Sequence, residues 1–258
     1  MNILVNFNGD NIIEQPYYYQ VGTFAGLLAG LYWGNHTSGD LINHGDFGIG
    51  TPDLVDGELI IDQGRVMCAD KDGLLHSLGT DIKVPFAIVT KFKPDHEITI
   101  SKIASLSDLE KRLDQELKRL SYSQNDLFAI RGKGLFESIR VRSEARQEEP
   151  FQPLAMTLPK IQTYHHFQNI RGTLVITRFP EYLAAVNVAG YHIHFYDQDK
   201  KKGGHLYEIS GKEEFNIEIM LLKEIRIANI DHSSNHNLVI PPYNSKEGKA
   251  VEKIQEFS

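Results

Sequence analysis

Three histidines stand at H-x-H-x10-H spacing: His192 and His194 in Gly190-Tyr-His-Ile-His-Phe195, and His205 after Gly203-Gly204. The first two sit in an apolar, aromatic run that reads as a strand. Strand side chains alternate, so His192 and His194 point to one face. The stretch from Asp197 to Gly204 is polar, lysine-rich and ends in Gly-Gly, a hairpin signal. A returning strand, His205-Leu-Tyr-Glu-Ile209, would bring the third imidazole beside the pair. Three neutral imidazoles on a metal ion leave a fourth position open for chemistry. The competing reading of the pair is a solvated face or a hydrogen-bonded core pair. The third histidine favours metal, because one hairpin then supplies a whole ligand set.

A metal held by neutral ligands keeps its full charge and polarises oxygen. Chemistry on an anion would also need a proton donor and a cation. Asp56-Gly57-Glu58 places Glu58 at the start of an apolar strand, although an exposed glutamate is the commoner state. Arg140-Val-Arg142-Ser143 puts two arginines on one strand face, where one turned into a pocket would clamp a carboxylate. His44-Gly-Asp-Phe-Gly-Ile-Gly50-Thr51 contains G-x-x-G-x-G, which is not the dinucleotide spacing. Its glycines are expected in a tight turn with close backbone approach.

The elements that must position these groups are mostly strands. Residues 22–33 suggest a glycine-containing helix, and Asn43 to Gly50 a glycine-rich turn. Glu58 to Cys68 reads as two strands around a turn, and Phe86 to Phe92 as another strand. Ser107-Asp-Leu-Glu110 fits a capping box, with Leu106, Leu109, Leu113, Leu117 and Leu120 at helical spacing behind it. Gly132-Lys133-Gly134 suggests a hairpin between strands 127–131 and 135–142. Ser143 to Pro153 reads as a linker or loop, residues 172–179 as a strand ended by Pro180, and 181–187 as a short helix. The tail from Asn244 has helical character. The expected domains are 1–148, an N-terminal α/β unit, and 149–258, a β-rich metal-binding unit.

At 258 residues the chain can bury a sizeable core, with 41% hydrophobic and 24% charged residues. A net charge of −7 without a basic run argues against nucleic acid as a partner. The single Cys68 cannot form an intrachain disulfide. The apolar stretch Val21 to Trp33 is too short to span a bilayer, and the N-terminus lacks a signal-peptide pattern. A cytoplasmic location is therefore expected.

Taken in order, these segments resemble the acetolactate decarboxylases. The resemblance rests on Gly22-Thr-Phe24, Gly30-Leu-Tyr-Trp-Gly34, His44 to Thr51, Asp56-Gly-Glu58, Val141-Arg-Ser143, Gly172-Thr-Leu-Val175 and the histidine hairpin. It covers roughly residues 20 to 215. It implies conversion of 2-acetolactate to acetoin and carbon dioxide, with one zinc on His192, His194 and His205. Glu58, Arg142 and Thr51 match further site residues. The implied fold is α+β: an N-terminal mixed β-sheet with helices, and a C-terminal β-barrel-like antiparallel sheet, with the metal in the cleft between them. A homodimer is implied. The family also carries a glutamate near its C-terminus in an Ile-x-x-x-Glu pattern. Aligned on Ile254, that place falls on Ser258, so Glu256, Glu252 or the terminal carboxylate of Ser258 is expected to fill it.

Two other readings compete. Cupin-like metal enzymes also carry H-x-H on a strand, but a glutamate usually follows within a few residues, and Phe195 to Asp199 contains none. A non-catalytic zinc-binding relative would keep the histidines and lack turnover.

Overall fold

The computed structural model describes residues 3–5, 11–13, 15–229 and 238–252. The strands are, in order, β1 (Ile3–Val5), β2 (Asn11–Ile13), β3 (Tyr17–Val21), β4 (His36–Thr37), β5 (Phe47–Thr51), β6 (Glu58–Asp62), β7 (Arg65–Ala69) and β8 (Leu75–Ser77). Then follow β9 (Lys83–Val84), β10 (Phe86–Thr90), β11 (His96–Ile103), β12 (Leu127–Glu144), β13 (Gln162–Phe179), β14 (Gly190–Asp197), β15 (Gly203–Leu222) and β16 (Glu224–Ala228). The helices are α1 (Phe24–Leu28), α2 (Ser38–His44), α3 (Leu106–Arg119), α4 (Leu154–Ile161) and α5 (Ser245–Glu252). None of them is long and apolar enough to cross a membrane.

Two sheets carry the fold. A seven-stranded sheet has the order β16-β3-β10-β5-β6-β7-β8 and is mixed, because β16 runs parallel to β3. The other has the order β11-β15-β12-β13-β14, and β14 also pairs with β15. That last pairing closes β15, β12, β13 and β14 into an antiparallel ring, the barrel-like sheet expected. Strands from both sides of residues 148/149 enter the ring, and β16 returns to the mixed sheet.

Alternation along the ring strands decides what each core contains. Leu174, Ile176, Ile193 and Phe195 point into the ring, where Leu109, Leu113 and Leu117 of α3 plug it. Val175, Phe179 and Tyr196 point the other way, onto Phe47, Ile49 and Ile60 of the mixed sheet. The far face of the mixed sheet buries Leu59, Ile61 and Val89 with Leu41 of α2. His192 and His194 share the parity of Tyr196, and Glu58 shares that of Ile60. Both sets therefore face the space between the sheets.

Some expected elements differ. The helix over 22–33 is only Phe24–Leu28. Residues 43–50 are the end of α2 and most of β5, so Gly48 and Gly50 lie in a strand. A Cβ on either would collide with the β10 backbone, so the close approach is present without the turn. Helix α3 begins two residues earlier than Ser107 implies: the Ser105 hydroxyl accepts from the Asp108 N–H, the same serine-to-acid spacing in another frame. Gly132 to Gly134 is no hairpin. β12 runs unbroken through it, and a Cβ on Gly134 would collide with Phe215. Residues 181–187 form only a 3-10 turn at Glu181–Leu183.

A buried ionic tie joins the sheets. Arg131 of β12 donates to Asp62 of β6 at 2.6 Å, and the Tyr196 hydroxyl of β14 donates to the other Asp62 oxygen at 2.6 Å. The Arg131 guanidinium also lies 4.4 Å from the Phe92 ring centre. Removing Asp62 would leave the buried Arg131 with only Glu218 Oε2, at 3.2 Å, and the Tyr196 hydroxyl without its acceptor. Asp62→Ala is expected to cost about 3–5 kcal/mol in urea unfolding. A loss below about 1 kcal/mol, the range of exposed pairs, would show that the tie is not structural.

Candidate metal and acid–base site

The histidine hairpin closes as its spacing requires. His194 of β14 is the register partner of His205 of β15, and neighbouring Gly203 and Gly204 pair with Tyr196 and Phe195. A Cβ on Gly204 would meet the Arg142 carbonyl, and its φ of +146° suits glycine. His192 Nε2 lies 3.1 Å from His194 Nε2 and 3.2 Å from His205 Nδ1. All three rings are buried, and their ligand atoms lie within 4.8 Å of one another. The group can hold a metal ion. His194 Nδ1 lies 2.9 Å from the Leu59 carbonyl, which only accepts, so Nδ1 carries the proton and Nε2 presents its lone pair. Burial first, then the neighbouring cationic groups, holds His192 and His205 well below the usual imidazole range. Burial likewise brings His194 down to about 4. All three rings are therefore neutral at pH 7, the state a metal needs.

Carboxyl groups reach this point from three elements. Glu58 enters from the mixed sheet, with Oε2 3.1 Å from His194 Nε2. The turn before it is strained: Leu54 and Val55 have φ of 62° and 56°. Backbone bonds from Leu54 N to Tyr32 O and from Gln147 N to Leu54 O, each 2.8 Å, hold that turn. Thr51 Oγ1 donates to the Gly57 carbonyl at 3.0 Å, so Thr51 braces the residue that delivers Glu58. Glu252 enters from the end of α5, 3.5 Å from His205 Nε2. Glu144, next but one to Arg142 on β12, hydrogen-bonds Glu58. Burial raises all three acids, bringing Glu58 and Glu252 to about 7 and lifting Glu144 well above the carboxylate range.

The cation is Arg142. Arg140 and Arg142 do share a strand face, but Arg140 is half-exposed beside Glu208, and Arg142 is buried. Arg142 Nη1 donates to the Val251 carbonyl of α5 at 2.6 Å, and its Nε lies 3.2 Å from Glu144 Oε1. Apolar residues including Phe24, Leu154, Leu158 and Val251 wall the site from one side. A cavity of about 40 Å³ lies among Glu58, Arg142, His192 and His205. Through His205 and Glu252 it adjoins a cleft of about 580 Å³ between α3, α5 and β14.

The structure thus gathers His192, His194, His205, Glu58, Arg142 and, one bond away, Thr51. Glu256 and Ser258 lie outside the described residues; among the described residues, Glu252 is the C-terminal acid at the site. Sequence reasoning missed Glu144, which it took as the start of a polar linker. Its signal was the alternation: on one strand, Glu144 must share the face of Arg142. His44 stacks on Tyr19 at 3.6 Å as part of α2 and, among the described residues, joins no metal group.

A dication among these rings would pull protons from acids poised near neutrality, not from histidines that are already neutral. Zinc titration of the metal-free protein at pH 7 is therefore expected to release protons, with less release in Glu58→Gln. Calorimetry in two buffers of different ionisation enthalpy reads this directly. Zinc binding without proton release would contradict the charge assignment.

Comparison with known proteins places this geometry. A family model described as Alpha-acetolactate decarboxylase matches residues 18–237. The alpha-acetolactate decarboxylase of Methanosarcina mazei is 40% identical over 191 residues, which cover 74% of this chain and 65% of that protein. The chain thus spans just under two thirds of that relative. The Bacillus subtilis strain 168 protein of the same name is 33% identical over 240 residues, covering 90% of this chain and 92% of its own. The crystal structure of that B. subtilis enzyme superposes with a TM-score of 0.86 at 30% identity, covering 92% of this chain and all of the other. With its fold, its buried histidine group and these matches in agreement, the chain belongs to the alpha-acetolactate decarboxylase family.

Proposed function

We propose that this protein is a zinc-dependent acetolactate decarboxylase, converting 2-acetolactate to acetoin and carbon dioxide. The observation that carries the reading is a buried group of three neutral imidazoles beside a cavity that is also lined by an arginine and by a carboxyl brought up to about 7. Tetrahedral zinc with Zn–N of about 2.0–2.1 Å sets its nitrogens roughly 3.3 Å apart. The ring nitrogens at 3.1 and 3.2 Å fit that spacing.

Zinc on His192, His194 and His205 would supply Lewis acidity, stabilising negative charge that builds on the substrate's ketone oxygen. Arg142 binds the carboxylate and orients it for loss. When carbon dioxide leaves, its bonding pair stays on the hydroxyl-bearing carbon and the adjacent ketone accepts it, giving an enediolate. Glu58, brought up to about 7 by burial, can take up and release a proton near neutral pH and is placed to give it to that carbon from the mixed-sheet side. Delivery from one side yields one acetoin enantiomer. Glu252 faces Nε2 of His205 and orients that ring. We assign it the role of the family's C-terminal glutamate. A homodimer in the cytoplasm completes the proposal, the dimer resting on the family resemblance.

Purified protein is expected to release acetoin from racemic 2-acetolactate. Glu58→Gln is expected to retain metal and lose turnover by about a hundredfold or more, the worth of a general acid. Arg142→Lys is expected to raise KM, since an ammonium cannot hold the Val251 carbonyl and the substrate carboxylate together in the fixed geometry of a guanidinium. A Glu58→Gln protein with full turnover would remove Glu58 from the mechanism. Metal bound without any acetoin would instead support a non-catalytic relative.

A further inference from the structure

Glu144 has no part in the reaction above, yet it is buried at 3% exposure inside the site. Arg142 offers five N–H donors in a fixed fork. Its Nη1 end is committed to the Val251 carbonyl at 2.6 Å, with Gln162 Oε1 at 3.5 Å. The edge left for a two-point clamp is that of Nε and Nη2. Nε is buried and has no aligned acceptor, although Glu144 Oε1 stands 3.2 Å away. That oxygen occupies the place one oxygen of an incoming carboxylate would take, without satisfying the donor. The hydrogen bond to Glu58 holds Glu144 there, and in a cavity of about 40 Å³ it has little room to withdraw.

We infer that Glu144 is a specificity-setting residue that acts through Arg142, obstructing the Nε edge and restricting the substrate carboxylate to a one-point contact. This rests on the decarboxylase reading. A shorter apolar side chain would open the edge, and the substrate would gain a charge-assisted hydrogen bond. A contact made equally in ground and transition states changes KM rather than kcat.

The test is steady-state kinetics with 2-acetolactate for wild type, Glu144→Val, Glu144→Ala and Glu144→Gln, with inhibition by acetoin measured alongside. Glu144→Val and Glu144→Ala are expected to lower KM about tenfold, the smaller end of what one such bond supplies. Their kcat should move less than KM. Glu144→Gln keeps an oxygen in place and should stay near wild type. Acetoin has no carboxylate, so its inhibition constant should hardly move, whereas a general loosening of the site would shift it together with KM. KM unchanged or raised in the valine and alanine variants of an active enzyme overturns the inference alone. A wild-type protein that releases no acetoin overturns the decarboxylase reading, and the inference with it.

Discussion

Three imidazole nitrogens, two pairs of them 3.1 and 3.2 Å apart, cannot all present lone pairs to one another without a cation or shared protons. Burial disfavours a second, charging proton on any ring, leaving His194 neutral down to about pH 4. The fold enforces that crowding. The register pair of His194 and His205 belongs to the contact that closes the antiparallel ring. His192 follows two residues away on the same face. A slip of one residue in β14 would turn both of its histidines into the ring interior, where Ile193 and Phe195 now pack.

The rest of the site answers the charge this arrangement invites. The mixed sheet supplies Glu58 from the opposite wall, and α5 adds Glu252. These carboxyls and Glu144 are costly to bury as ions. Arg142 offsets part of that cost from β12, and protons offset the rest near neutral pH. The backbone strain at Leu54 and Val55 sits in the turn before Glu58, where hydrogen bonds to the Tyr32 carbonyl and from the Gln147 N–H over-determine it. Such strain is tolerated where a side chain must be aimed. Because α5 lends Arg142 its Val251 carbonyl and the site its Glu252, cation and C-terminal acid are positioned by the same short helix.

Much of this was legible in the chain because strand alternation is a strict rule. It gave the shared face of His192 and His194, the shared face of Arg140 and Arg142, and the strand pair after Glu58. It failed where a local signal had a second meaning. Gly132-Lys-Gly134 has turn chemistry, but its glycines are there because ring neighbours press on them. Ser105 and Ser107 both precede an acid at capping distance, and tertiary packing chose the first. Glu144 looked like linker because polarity suggested solvent, whereas β12 carries it on past Arg142 into the buried site. Glu252 reaches His205 because α5 docks against Phe24, Leu154 and Leu158, a packing that no local signal in the tail announces.

The central claim is that a metal on His192, His194 and His205 carries the decarboxylation. It is tested by following acetoin release through chelation and stepwise restoration of zinc, with bound metal counted at each step. The account requires activity to vanish with the metal and return in proportion to it, reaching its maximum at about one ion per chain, as three ligands and an open position dictate. Full acetoin release from metal-free protein would contradict it.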